Sequence, residues 1–283
     1  MNLSIIAICT SLLGTVASVG LGPPAPPSGA DLKPHTLQAF QRYAAATEAR
    51  VLDQVGPEGP FLYLDYLPQQ DRNRILADLR RGELFMERLE TRDANGQEIE
   101  IRDGLVHHWL GAVFVPGVGL AATLELIQDY DRHSEIYGPD VEAAHIISRN
   151  GDHFEVFMRF HKHKVITVVM DTVHDVHYVT PASDRTYSIS RTTSVREVKD
   201  PGSTTERALA DGEGGGFLWR INSYWRFLER DGGIYIETES ISLTRTIPFV
   251  VRWLVSPFVN GMPREQLADL LEKTRQTLAH DGA

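Results

Sequence analysis

The residue types best suited to chemistry gather between Trp219 and Arg245. If Asp231-Gly232 forms a two-residue hairpin turn, Arg226 faces Glu237 and Tyr224 faces Glu239, with Arg220, Asn222 and Tyr235 on the same side. Two readings fit that spacing. In one, the guanidiniums and carboxylates form a solvated cross-strand ladder on the outside of a sheet. In the other they lie inside the curve of the sheet, paired with each other, as the few convergent polar groups that orient a ligand in an apolar pocket. Ile241 and Leu243 share that face and favour partial burial, whereas Trp219, Ile221, Trp225, Phe227 and Ile236 make up the other face. Glu237 and Glu239 have the spacing of an acid-base pair, but neighbouring arginines would hold them ionised, so no catalytic role is assigned.

Other constellations are weaker. His161, His163, Asp171, His174 and His177 lie on consecutive β-rich runs, yet spacing alone does not build a metal site, and no metal is expected. Gly117 to Ala122 spells G-x-G-x-x-A between a strand and a helix. The strand-helix alternation of a dinucleotide-binding domain does not follow it, so the glycines are read as a turn and no cofactor is expected. The chain holds no G-x-S-x-G elbow, phosphate-binding loop or H-E-x-x-H pair.

These side chains must be positioned by a recognisable order of elements. Leu37, Phe40, Ala44, Val51 and Val55 recur at helical spacing before Gly56-Pro57, and a second helix is expected from an Asp71 cap to Gly82. Gly104 to Val115 reads as a strand and Leu120 to Tyr130 as a helix. Six β-rich runs follow, 141–148, 153–161, 165–179, 185–198, 216–229 and 234–245, parted by turn residues that make them antiparallel neighbours. The apolar segment 247–259, with Phe249, Trp253 and Phe258, fits either core or a gate in transient contact with a membrane. Pro248, Pro257 and Gly261 suggest a break there before a final amphipathic helix bearing Leu267, Leu271 and Leu278.

Residues 1–20 carry no charged side chain and read as an export signal or N-terminal anchor, and 21–30 as a Pro-rich tether, which places the protein in the periplasm or outside the cell. Cys9, the single cysteine, lies in that leader, so disulfides and a thiol nucleophile are excluded from the remainder. A formal net charge of −10 opposes nucleic-acid binding, and 42% hydrophobic residues suffice for a substantial core.

Three stretches carry a family likeness: AVFVPGVGLAATLELIQDYDRHSEIYG, the strands GFLWRINSYWRFLER and IYIETESISLTRTIP, and WLVSPFVNGMPREQLADLLEKTRQTL. In their order and phrasing the chain resembles the START-like, or SRPBCC, helix-grip superfamily over residues 104–283, with 31–103 as an N-terminal helical extension. The resemblance implies an α+β fold in which a curved antiparallel sheet wraps around a long C-terminal helix. It also implies a cavity between them for a lipid, sterol or polyketide-like molecule, and it transfers no catalytic residue. The expected function is binding or transport of such a molecule, with Trp219, Arg220, Asn222, Tyr224, Arg226, Tyr235, Glu237, Glu239 and Trp253 near it. The alternatives are a cyclase or dehydratase on the same fold, which would need a titratable group in the pocket, and an interaction scaffold with a filled interior.

Overall fold

The structure, a computed structural model, describes residues 30–163, 167–246 and 249–281, the last segment with its side chains from 261 to 280. The leader and most of the tether therefore fall outside the described residues, as does the side chain of Trp253.

A helix α1 (Pro34–Gln54) opens the described chain, with proline in its first turn where a missing N–H costs nothing. Its buried positions, Thr36, Phe40, Tyr43, Thr47 and Val51, follow the helical repeat. A 3₁₀ turn over Tyr63–Tyr66 and helix α2 (Gln69–Arg80) complete an outer layer. Asp71 lies in the first turn of α2 and not at its cap, which is Pro68. A short strand β1 (Phe85–Arg88) follows, then β2 (Gly104–Pro116), α3 (Leu120–Gln128) and α4 (His133–Tyr137). The remaining strands are β3 (Val141–Asn150), β4 (His153–His163), β5 (Thr167–Ala182), β6 (Arg185–Lys199), β7 (Arg207–Ala208), β8 (Arg220–Arg230) and β9 (Gly233–Arg245). Helix α5 (Phe249–Asp281) closes the fold without interruption, so the break expected around Pro257 and Gly261 is not present.

All strands belong to one antiparallel sheet ordered β1-β2-β9-β8-β6-β5-β4-β3, with β7 on the end of β6. The extension 31–103 is thus not purely helical, because β1 pairs with β2 and extends the sheet edge. Alternation along the strands sends successive side chains to opposite faces. On one face Val113, Val115, Phe227, Ile234 and Ile236 form a core with Leu271 and Leu278 of α5. A Cβ at Gly111 would lie 2.5 Å from the Leu271 side chain, so the glycine lets α5 approach the sheet. On the other face Phe114, Ile189, Tyr224, Tyr235, Ile241 and Leu243 pack beneath α1 and the 3₁₀ turn. Phe61, Leu62 and Leu64 are fully buried there, each contributing about 1.5–3 kcal/mol of apolar burial. The sheet is therefore gripped by α5 on one side and clad by the N-terminal layer on the other.

Candidate functional site

Asp231 and Gly232 both have positive φ, 59° and 76°, as a two-residue hairpin turn demands. The register follows as expected: Tyr224 pairs with Glu239 and Arg226 with Glu237. The face is a different matter. Arg226, Glu237 and Glu239 are each 1% exposed, yet they point away from α5 and lie beneath the N-terminal layer. They are neither a solvated ladder nor part of the lining between sheet and α5.

Each charge in this buried layer is met by a group from the extension. Glu237 accepts from Nη1 of Arg226 at 2.5 Å and from the backbone N–H groups of Tyr63 at 2.8 Å and Leu64 at 3.3 Å. The second Arg226 nitrogen donates to Oε1 of Gln54 on α1 at 2.8 Å. Burial pushes the Glu237 carboxyl upward, and the Arg226 charge and the two N–H groups offset this only in part. Glu239 is bonded by Arg50 of α1 and by Nε2 of His108 at 2.7 Å. Burial would raise its carboxyl too, but the His108 hydrogen bond and the Arg50 charge prevail and hold it below its ordinary range.

His108 is held at both ring nitrogens. The Thr91 N–H donates to the Tyr43 hydroxyl at 2.8 Å, that hydroxyl is bonded to Nδ1 of His108 at 2.8 Å, and Nε2 of His108 is bonded to Glu239 at 2.7 Å. This Tyr-His-Glu chain has the parts of a proton relay, but Tyr43, His108 and Glu239 are at most 6% exposed and no substrate can touch them. Its role is to dock α1 on the sheet. Among the described residues the Glu239 Oε2 and Arg226 Nε atoms are left without hydrogen-bond partners, so the layer is tightly constrained and incompletely satisfied.

The other expected residues surround this layer. Tyr235 donates to Asp231 at 2.9 Å, and burial, reinforced by that carboxylate, pushes its hydroxyl to about 12. Trp219 and Tyr224 are buried in the same outer core. Arg220 is held by both oxygens of Asp211, at 3.0 and 2.6 Å. Arg220 and Asn222 border a surface groove of about 450 Å³ beside α1, with Phe40, Ala44, Glu48 and Arg191.

The face toward α5 carries a second set of side chains. At one end Phe227 and Ile236 are wholly buried against the helix. Along the same strands Trp109, Ile221, Ser223, Trp225 and Ser240 lie on that face in register, Ser223 opposite Ser240 and Ser240 opposite Trp109, yet all five are only partly buried. Ser188 and Ser190 of β6 adjoin Trp225 and Ser223. Beyond them His174 is sealed: Thr172 gives its proton to the Met158 carbonyl and so accepts from Nε2 of His174 at 2.9 Å. Burial drives that imidazole down to about 4, which keeps it neutral. This floor is built of hydroxyls and indoles, and its signal in the sequence is the opposite parity of the hairpin, Ile221, Ser223, Trp225 and Phe227.

The remaining candidates separate in space. Among the described residues no group of three or more His, Cys, Asp or Glu is placed to hold a metal. Asp171 is bound to both Nε and Nη2 of Arg159, at 2.7 and 3.0 Å. The glycine turn at 117–119 leads into α3, whose Leu120 N–H donates to Glu229 at 2.7 Å. An acidic side chain thus occupies the position a phosphate would take in a dinucleotide site.

No family model and no curated protein matches the chain. Solved structures do. Human STARD10 is 12% identical, with 78% of this chain and 83% of that one covered at a TM-score of 0.42. A STAR-related lipid transfer protein from Xanthomonas axonopodis is 16% identical, with 67% and 98% covered at 0.40. The Zhui aromatase/cyclase from Streptomyces is 12% identical, with 63% and 94% covered at 0.37. The sheet order and the packing of α5 by themselves show a helix-grip α+β fold.

Two outcomes test this arrangement. Glu237→Gln leaves Arg226 buried without a counter-charge and is expected to cost about 3–5 kcal/mol in denaturant unfolding, whereas Arg226→Met with Glu237→Leu recovers most of it. His107, His133 and His174 are pushed by burial to about 4, His107 with help from the Arg88 charge. Because the unfolded chain binds protons that these folded imidazoles refuse, stability is full above about pH 6.5 and falls as pH drops toward 4, by up to about 3 kcal/mol per histidine. Unfolding midpoints measured across that range check the slope.

Proposed function

We propose that the protein binds and carries an apolar small molecule bearing a few hydroxyl or carbonyl groups, held between the sheet and α5. The observation behind this is the incomplete burial of Trp109, Ile221, Ser223, Trp225 and Ser240 at the centre of a face whose other end is fully packed. Side chains in the middle strands of a sheet covered by a helix are ordinarily close-packed, so partial exposure there supports a space for a guest over a filled interior. Two indoles supply flat apolar surface, and the serines supply adaptable donors and acceptors. His107 and His174, the buried imidazoles on that face, are both pushed by burial to about 4 and bonded to Thr244 and Thr172, which favours binding over acid-base catalysis. Under the same proposal, residues 1–20 direct the chain out of the cytoplasm, where a carrier would meet its ligand.

Native mass spectrometry with organic extraction of the protein from its own host is expected to reveal a stoichiometric apolar molecule. Ser223→Trp, which places an indole on the floor, is expected to weaken binding of that molecule roughly tenfold or more while leaving the unfolding midpoint nearly unchanged. Undiminished binding in this variant would remove the floor from the account.

A further inference from the structure

The short strand β1 puts a charged side chain on the face toward α5. Met86 packs into the core on that face, and strand alternation carries Arg88, two residues on, to the same side, opposite Trp109 of β2. Arg88 stands where full packing gives way. Leu271 of α5 closes on Gly111 beside Met86, whereas Trp109 is only partly buried and Arg88 is exposed. Because α5 lies over β2 and β1 forms the sheet edge, Arg88 occupies the open flank between helix and sheet. Its charge is felt inside, where it assists burial in depressing the His107 imidazole.

No acid of the protein answers this cation. Among the described residues the Arg88 guanidinium makes no hydrogen bond or ion pair. Glu87 points to the other face, opposite Leu110 in register, and Glu90 is bonded to Arg92 at 2.9 Å. Along β2, β8 and β9 the one carboxylate on the side of α5 is Glu229, which accepts from the Leu120 N–H at the far end of the hairpin. Arg88 thus borders a floor of indoles and hydroxyls that offers it no counter-charge.

We propose, resting on the reading of that face as a binding floor, that the molecule held there is an apolar monoanionic acid whose carboxylate is bound by Arg88. A guanidinium meets a carboxylate with two parallel hydrogen bonds, and one cation balances one negative charge. A phosphate monoester, carrying close to two, would be left half matched. The net charge of −10 opposes the approach of an anion elsewhere, so the head group is admitted at this flank while the apolar body lies along Trp109 and Trp225. Ser223 and Ser240 serve polar groups farther along that body. The head-group contact is made by a strand of the extension 31–103, added to the sheet edge beside β2.

Titration calorimetry of the full-length protein at about pH 7.5, where carboxylic acids are ionised, tests this with two matched pairs of probes: dodecanoate against dodecanol, and pyrenebutyrate against pyrenebutanol. In whichever pair binds, the acid is expected to bind about tenfold more tightly than the alcohol. Arg88→Gln is expected to bring the acid down to the affinity of the alcohol. The alcohol should stay within about twofold of its parent affinity, with the unfolding midpoint unchanged because the side chain is exposed. Arg88→Lys is expected to recover part of the loss. Ser223→Trp is expected to weaken acid and alcohol alike, which locates both on the floor. Equal affinity of the parent for acid and alcohol, or acid binding that Arg88→Gln leaves intact, would overturn the head-group assignment while leaving the floor in place. Failure of the parent to bind any of the four probes would overturn both.

Discussion

The structure depends on one buried pairing, Arg226 with Glu237, and on the way the N-terminal layer completes it. Two charges removed from water on neighbouring strands are tolerable only if their remaining hydrogen-bonding capacity is met. Gln54 takes one further donor of the arginine, whose Nε stays without a partner, and the amides of Tyr63 and Leu64 serve the carboxylate. The layer therefore supplies most of the partners that this buried pair has outside itself. Conversely, the layer is fixed in position by those bonds as well as by the burial of Phe61, Leu62 and Leu64.

That constraint divides the molecule's two faces. The outer face spends its polarity on internal docking, and its Tyr43-His108-Glu239 chain is closed to solvent. Among the described residues the inner face shows no comparable ion-pair network around Trp109, Ser223, Trp225 and Ser240, all four of which are only partly buried. The outer clamp holds the middle strands in place independently of what lies on their inner face.

Much of this was legible in the sequence, for definite reasons. Asp231-Gly232 announces a two-residue turn, and the turn fixes the pairing of Arg226 with Glu237 because side-chain alternation leaves no freedom once register is set. The strands of the meander were delimited by their turn residues in the same way. The direction in which the polar face pointed was not legible, since a strand's alternation is symmetric with respect to its two faces. The answer lay in residues more than 150 positions away, where Gln54 and the Tyr63 and Leu64 amides supply the partners. Neither β1, only four residues long, nor the Arg50 and His108 contacts to Glu239 had a local signature.

The most direct test of the account is to locate an apolar guest on one face or the other. A photoactivatable diazirine analogue of a long-chain alcohol, cross-linked to the intact protein and mapped by peptide mass spectrometry, distinguishes them. Labelling of Trp109, Ile221, Ser223, Trp225 and Ser240, together with α5, is the result predicted here. Labelling confined to α1 beside Phe40, Ala44 and Glu48 would place the guest in the outer groove and contradict it.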